Sequence, residues 1–402
     1  MILAGQLLLV DQPPRARIAP GYVVLKDDRI DQVVVGTIPD SYDAGGPTAL
    51  ISPGFIDTHL HLPQFDMIGG HGMPLLDWLD NLTFPAERKW ADVDYASAMT
   101  RRVIDQCFDH GTTTIAAYAS CHHQSTLAAL KIASEMGMRG VIGQVLMDRE
   151  VPKDLCGTTQ QMVDEADATL QAFPPSQRMS AAVTPRFAIS CTAELMAQLG
   201  ELSVRRDAIV QTHLAETERE CELIKKLFDG TRYVDVYNNA GLLHRHTLLG
   251  HGIYLSESDR QTLVDTQAVV AHCPTANSFL RSGTMNRHQY LGENVRLSLG
   301  SDIGAGYERS MVRVGKAMIE SAALIGDSFP SAAEAWYAIT AGNAAAMGLV
   351  DAGRLQSGDP ADVLVIQPDI PWLENTASPL SNLMFAWDDR WLTTTFVRGN
   401  CA

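Results

Sequence analysis

The run Pro53-Gly54-Phe55-Ile56-Asp57-Thr58-His59-Leu60-His61 decides the fold. It starts as an apolar β segment and ends on two histidines one residue apart. Side chains at i and i+2 of a strand share a side, so His59 and His61 are expected to point together from the strand's C-terminal end. That end is where a parallel barrel carries its chemistry.

The same texture recurs along the chain. Short runs rich in Val, Ile and Thr follow the first, 54–59, at 112–118, 140–147, 180–185, 209–213, 247–252, 269–273 and 296–301. Helix-like stretches separate them, among them 94–110, 124–138, 192–200, 216–229 and 256–266. Repeated β–α units imply an α/β fold with a parallel sheet. About eight of them over roughly 300 residues imply a closed (β/α)8 TIM-like barrel. A doubly wound open sheet is the alternative, but no G-x-G-x-x-G follows the first strand to support it. Both chain ends read differently, as short β segments broken by turns: 6–10, 22–26 and 32–35 at one end, 362–366 and 393–397 at the other. They are expected to form one small β-sandwich domain from residues 1–50 and 351–402, around a barrel spanning 51–350.

The strand ends carry the candidate chemistry. The fifth run ends Gln211-Thr212-His213, the sixth Gly250-His251-Gly252 and the eighth Gly300-Ser301-Asp302. His59, His61, His213, His251 and Asp302 therefore converge on the barrel mouth. Imidazoles with one carboxylate suit a divalent transition metal, Zn²⁺ first, and the same ligand types admit Fe²⁺. One ion per chain is expected. His251 either ligates directly or hydrogen-bonds the nucleophilic water from outside the ligand set. Such an ion activates water at neutral pH, and hydrolysis then needs an acid–base group. Glu216, three residues after His213, is placed to take a proton from the water and pass it to a leaving amine. Asp302 can ligate the metal and can also hold the water's proton. His71, His110, His122, His123, His244, His246, His272 and His288 have no comparable placement and read as structural or surface groups.

Composition narrows the partners. The net charge is −16 with no basic run to reverse it locally, which argues against nucleic acid and anionic membranes. No apolar stretch reaches the roughly 18 residues of a membrane span, and the N-terminus lacks the pattern of a signal peptide. A cytoplasmic enzyme acting on a neutral small molecule is expected. The seven cysteines form no C-x-x-C pair, so buried reduced thiols are expected rather than a disulfide framework.

The strand-one run, His213 with Glu216, Gly250-His251-Gly252, Ser301-Asp302 and the ending Gly358-Asp359-Pro360-Ala361-Asp362 resemble the motifs of the amidohydrolase superfamily in its metal-dependent deaminase branch. The resemblance spans nearly the whole chain. Within that branch, Leu62-Pro63-Gln64-Phe65, Leu75-Leu76-Asp77-Trp78-Leu79, Thr83-Phe84-Pro85-Ala86-Glu87, Thr184-Pro185-Arg186-Phe187 and His272-Cys273-Pro274-Thr275 are similar to the guanine deaminase family. The resemblance implies zinc-dependent hydrolysis of guanine to xanthine and ammonia by a homodimer. It also implies that Gln64 and Arg186 recognise the purine edge, that Phe187 walls the pocket, and that His213 and Glu216 approach the substrate. The run Ala276-Asn277-Ser278-Phe279 departs from the family's Ser-Asn-Leu-type run on the substrate side. Deamination of another ring (8-oxoguanine, a pterin or a triazine) is the alternative activity. A barrel that binds metal or purine without turnover is the alternative from a different class, and Glu216 and Asp302 argue against it.

Overall fold

The computed structural model describes residues 1–326, 328–374 and 378–402. The chain opens with four strands, β1 (Ile2–Gln12), β2 (Arg15–Lys26), β3 (Arg29–Val35) and β4 (Ala44–Pro53). They are longer than their apolar runs because polar residues between those runs still complete the backbone ladders.

The barrel follows. Its strands are β5 (Phe55–His61), β6 (Thr112–Tyr118), β7 (Arg139–Gly143), β8 (Val145–Leu146), β9 (Met179–Ala181), β10 (Thr184–Pro185), β11 (Val210–Leu214), β12 (Thr247–His251), β13 (Val269–His272) and β14 (Arg296–Leu299). All pair in parallel. The third and fourth positions are each split, into β7 with β8 and β9 with β10, where the sequence suggests single runs. The split sits where these strands crowd: a Cβ on Gly143 would lie 1.7 Å from Thr184 Oγ1. Closure between the first and last positions runs through backbone bonds, Asp302 N–H to His59 O at 2.8 Å and His61 N–H to Ile303 O at 3.1 Å. Asn343 staples the same seam lower down, its amide donating to Ile56 O at 2.7 Å and Leu299 O at 2.8 Å.

Ile56, Ala116, Val141, Ala182, Leu248 and Val269, one from each of six strand positions, share a buried cluster with Ala344, Ala346 and Met347. This apolar layer fills the lower barrel, as in a packed (β/α)8 core rather than a pore. It leaves the polar chemistry to the upper end.

The chain ends with β15 (Val363–Ile366), β16 (Leu392–Val397) and β17 (Asn400–Cys401). These join the opening strands in one seven-stranded sheet, ordered β17-β16-β15-β4-β1-β2-β3. Ile30 of β3 and Phe396 of β16 nonetheless share one core cluster with Leu3, Leu7 and Val23, and Ile30 N–H bonds Asp359 O at 2.9 Å. The sheet thus curls until its two ends face each other across a common core. Its other face presents Leu8, Leu50, Leu364 and Ile366 to the helices Met311–Ile325 and Ala332–Tyr337. Among the described residues no helix is long and apolar enough to cross a membrane.

Candidate metal centre and active site

His213 faces the mouth from the regular strand β11, but the other candidate ligands reach it through backbone irregularities. In β5, simple alternation from the inward Ile56 would turn His59 outward. The register against β6 slips between Asp57 and Leu60, so Thr58 and His59 together oppose Ala116. This one-residue bulge resets the alternation and sends both His59 and His61 inward. In β12, alternation from inward Leu248 would turn His251 outward, but its φ of 71° swings it back. Asp302 just beyond β14 has φ 52°, and Ala215 after β11 has φ 45°. Non-glycine residues seldom adopt this left-handed region and do so mostly where the surroundings impose it, often at functional sites.

Two glycines make room. A Cβ on Gly250 would lie 2.6 Å from His59 Cε1, and one on Gly300 would lie 2.5 Å from His59 Cβ. The His59 ring occupies the space their missing side chains leave.

The donors converge. His61 Nε2 lies 3.1 Å from His213 Nε2 and 3.3 Å from Asp302 Oδ1. His59 Nε2 is 3.4 Å from Asp302 Oδ1, and His251 Nε2 is 3.8 Å from Asp302 Oδ2. His59, His61 and His213 form one mutually close donor group, and His59, His251 and Asp302 another. His59 Nε2 and Asp302 Oδ1 are buried without a hydrogen-bond partner, a state that native structures rarely leave uncompensated. Donors just over 3 Å apart have the spacing of ligands roughly 2 Å from one shared ion. The residues therefore fit a divalent metal.

Their protonation agrees. Burial pushes His61 down to about 4 and His213 well below its ordinary value, so both stay neutral. Burial alone would raise Asp302, but the imidazoles of His59, His61 and His251 packed around it hold it well below the usual carboxylate range. His213 donates Nδ1–H to Arg186 O at 2.7 Å, and His251 donates Nδ1–H to Asn277 Oδ1 at 2.8 Å. In the neutral ring each bond fixes the tautomer with a bare Nε2, as expected of metal-ligating histidines. Against the effect of burial, the carboxylates of Glu216 and Asp302 raise His251 above its ordinary value.

A small cavity opens beside these donors. Gln64, Arg186, Phe187 and Glu216 line it together with His61, His213, His251 and Asp302. Leu75, Trp78 and Leu79 give it apolar walls.

The amidohydrolase family model matches residues 50–402. The chain belongs to the amidohydrolase family. Among its relatives, the guanine deaminase of Escherichia coli (strain K12) is 36% identical over 361 residues, covering 87% of this chain and 82% of that protein. The guanine deaminase of Dictyostelium discoideum is 35% identical over 367 residues, covering 87% and 81%. The crystal structure of guanine deaminase from C. acetobutylicum with bound guanine in the active site matches with TM-score 0.92 at 30% identity, covering 100% of this chain and 99% of that one.

Within this amidohydrolase site, Glu216 is free of the helix that the sequence begins with it. The helix is Glu218–Leu227, capped by Thr217, whose side chain accepts from Glu220 N–H while the Glu220 carboxylate accepts from Glu216 N–H at 2.8 Å and Thr217 N–H. The Thr217-x-x-Glu220 pattern is a capping box legible in the sequence. It stops the helix short and leaves Glu216 facing the cavity, with Oε2 3.4 Å from His251 Nε2 and Oε1 accepting from Ser282 Oγ at 2.6 Å. Burial raises Glu216 to about 7, against the pull of His251.

Several partners escape sequence reasoning. Asn277 touches His251 from a short helix and Ser282 touches Glu216 from a loop, where no periodic signal marks them. Tyr118 stacks on His61 with centroids 4.6 Å apart; its place at the end of the second apolar run was the available clue. Glu87 pairs with Arg186 across 99 residues, a partnership no local pattern encodes. The eight remaining histidines lie outside the cavity.

Proposed function

We propose that this chain hydrolyses guanine to xanthine and ammonia with one bound Zn²⁺. The carrying observation is a single cavity in which His61, His213, His251 and Asp302, four of the five metal-type donors, meet a proton-accepting Glu216 and the purine-edge donors Gln64 and Arg186. The relatives named guanine deaminase support the substrate.

His59, His61, His213, His251 and Asp302 would hold the ion. When bound there, it supplies water activation at neutral pH. The chain's own residues do the rest. Glu216, raised to about 7, is poised to take up a proton at one step and release it at the next. Ser282 fixes one of its oxygens, so the other is the proton-carrying atom. It hands that proton to the amine leaving guanine C2. Asp302, ionised in the resting site, accepts the second proton of the attacking water and returns it to ring N3, which carries N–H in xanthine.

Recognition needs donors for the carbonyl and acceptors for ring N–H groups. Arg186 supplies donors only. Gln64 supplies both, and its buried Oε1 has no protein partner, so a ring N–H satisfies it. A Cβ on Gly304 would lie 2.3 Å from Gln64 Cβ, which shows how closely this side chain is seated. Phe187 and Trp78 complete an apolar frame around a flat base. A homodimer belongs to the same reading, on the strength of the family resemblance.

Ammonia release from zinc-loaded protein, against guanine, 8-oxoguanine, adenine, cytosine and a pterin, tests this function. Turnover of guanine with xanthine as product is expected. Silence on guanine with turnover of another ring would overturn the substrate while retaining the chemistry.

A further inference from the structure

Arg186 stands in the cavity, yet its guanidinium is already engaged. Nη1 donates to both carboxylate oxygens of Glu87, at 2.7 and 2.8 Å. The two side chains are 3% and 1% exposed. Glu87 arrives on the helical turns Phe84–Arg88, which follow a π-turn at Leu79–Thr83. The preceding Leu75, Trp78 and Leu79 wall the cavity, so one segment supplies both the apolar wall and the counter-charge. The Phe84 ring lies 5.5 Å from Arg186 Cζ and backs the pair.

Both bonds to Glu87 leave from the same nitrogen. Among the described residues, no protein group accepts from Nε or Nη2 of Arg186. A guanidinium carries five N–H donors in a fixed fork. Pinning one arm therefore aims the others. The pair is also neutral as a whole, in a site remote from solvent where an uncompensated charge would dominate.

We propose that Glu87 makes this cavity selective for a neutral base: it cancels the charge of Arg186 and pins its Nη1, so the remaining N–H donors meet carbonyl or ring-nitrogen acceptors while an anion gains no net attraction. Glu87 is a positioning residue, acting through Arg186. This inference rests on the purine reading above.

The test compares zinc-loaded wild-type protein with Glu87→Gln, which keeps the shape and removes the charge. Guanine KM and kcat are measured, with equilibrium binding of hypoxanthine (a neutral purine carbonyl with no amine to lose) and of urate, an anion at neutral pH. Glu87→Gln is expected to raise guanine KM roughly tenfold with kcat within about threefold of wild type. It is also expected to tighten urate relative to hypoxanthine by roughly tenfold, because a lone buried cation now faces the ligand. A merely structural glutamate cannot produce that gain. An unchanged urate-to-hypoxanthine ratio would overturn the proposal, whatever happens to turnover. Should Glu87→Gln fail to fold, Arg186→Met is compared with Arg186→Met/Glu87→Gln. Equal hypoxanthine affinities are expected, since Glu87 has nothing left to act through, and a further loss in the double variant would overturn it. Failure of the wild-type protein to turn over guanine would count against the function alone, because the binding ratio reads Glu87 without turnover.

Discussion

The carbonyl oxygen of Arg186 accepts the Nδ1–H of His213 at 2.7 Å. One residue thereby serves both halves of the site: its backbone orients a metal-type donor while its side chain faces the substrate cavity. The two roles are separable by substitution, because the carbonyl survives any side-chain change. Arg186→Ala is expected to retain zinc at wild-type stoichiometry by elemental analysis. Its guanine kcat/KM should fall on the order of 10²-fold or more, since a site that hydrogen-bonds its ligand rejects mismatches strongly. Loss of zinc together with activity would show that the side chain also supports the metal centre.

Glu216 and the metal donors are similarly separable. Its carboxylate approaches His251 but contributes to neither close donor group. Glu216→Gln keeps the Ser282 contact and the side-chain volume while removing the proton carrier. Zinc content should be unchanged and kcat should fall about 10²–10⁴-fold. A variant with normal kcat would remove Glu216 from proton transfer.

How much of this was legible in the sequence depends on what each residue answers to. His59, His61, His213, His251 and Asp302 announce themselves because barrel strands end where chemistry happens, and strand ends can be read from apolar runs. The helix beginning at residue 216 was misjudged by two residues because periodicity extends through Glu216, whereas the capping bonds of Thr217 and Glu220 set the true start. The bulge at Thr58-His59 and the left-handed φ of His251 were not legible. Both depend on how a neighbouring strand or a packed ring constrains the backbone. Glu87 lay within a stretch that the family resemblance picked out, but its partner is fixed only by tertiary packing.

The space left by Gly250 yields a third expectation. A methyl group there would meet Cε1 of His59 at 2.6 Å, next to the atom that faces the donors. The ring cannot retreat freely, because Gly300 sits against its Cβ and Tyr118 packs 5.0 Å away. Gly250→Ala should therefore tilt His59 and weaken zinc by about 10–100-fold, the scale seen when ligand orientation is disturbed. Competition with a chelator measures this directly. Wild-type affinity in that variant would mean that the His59 ring is not held where a ligand must be.

His272 ends β13 on the face opposite the inward Val269, alongside Val270. Burial, with a smaller contribution from Arg287, pushes it down to about 3. The folded protein thus keeps it neutral where an unfolded chain would charge it, below about pH 6.5. Unfolding then takes up a proton, and stability falls as pH falls, by up to about 1.4 kcal/mol per pH unit until the folded group itself titrates near 3. Above about pH 7 the effect vanishes. His272→Gln removes this proton uptake while keeping a polar side chain of similar size. Thermal midpoints of the two proteins, followed from pH 8 to pH 5, should diverge as the solution is acidified, with the wild type losing more. Parallel curves over that range would show that His272 is not the neutral buried base its surroundings describe.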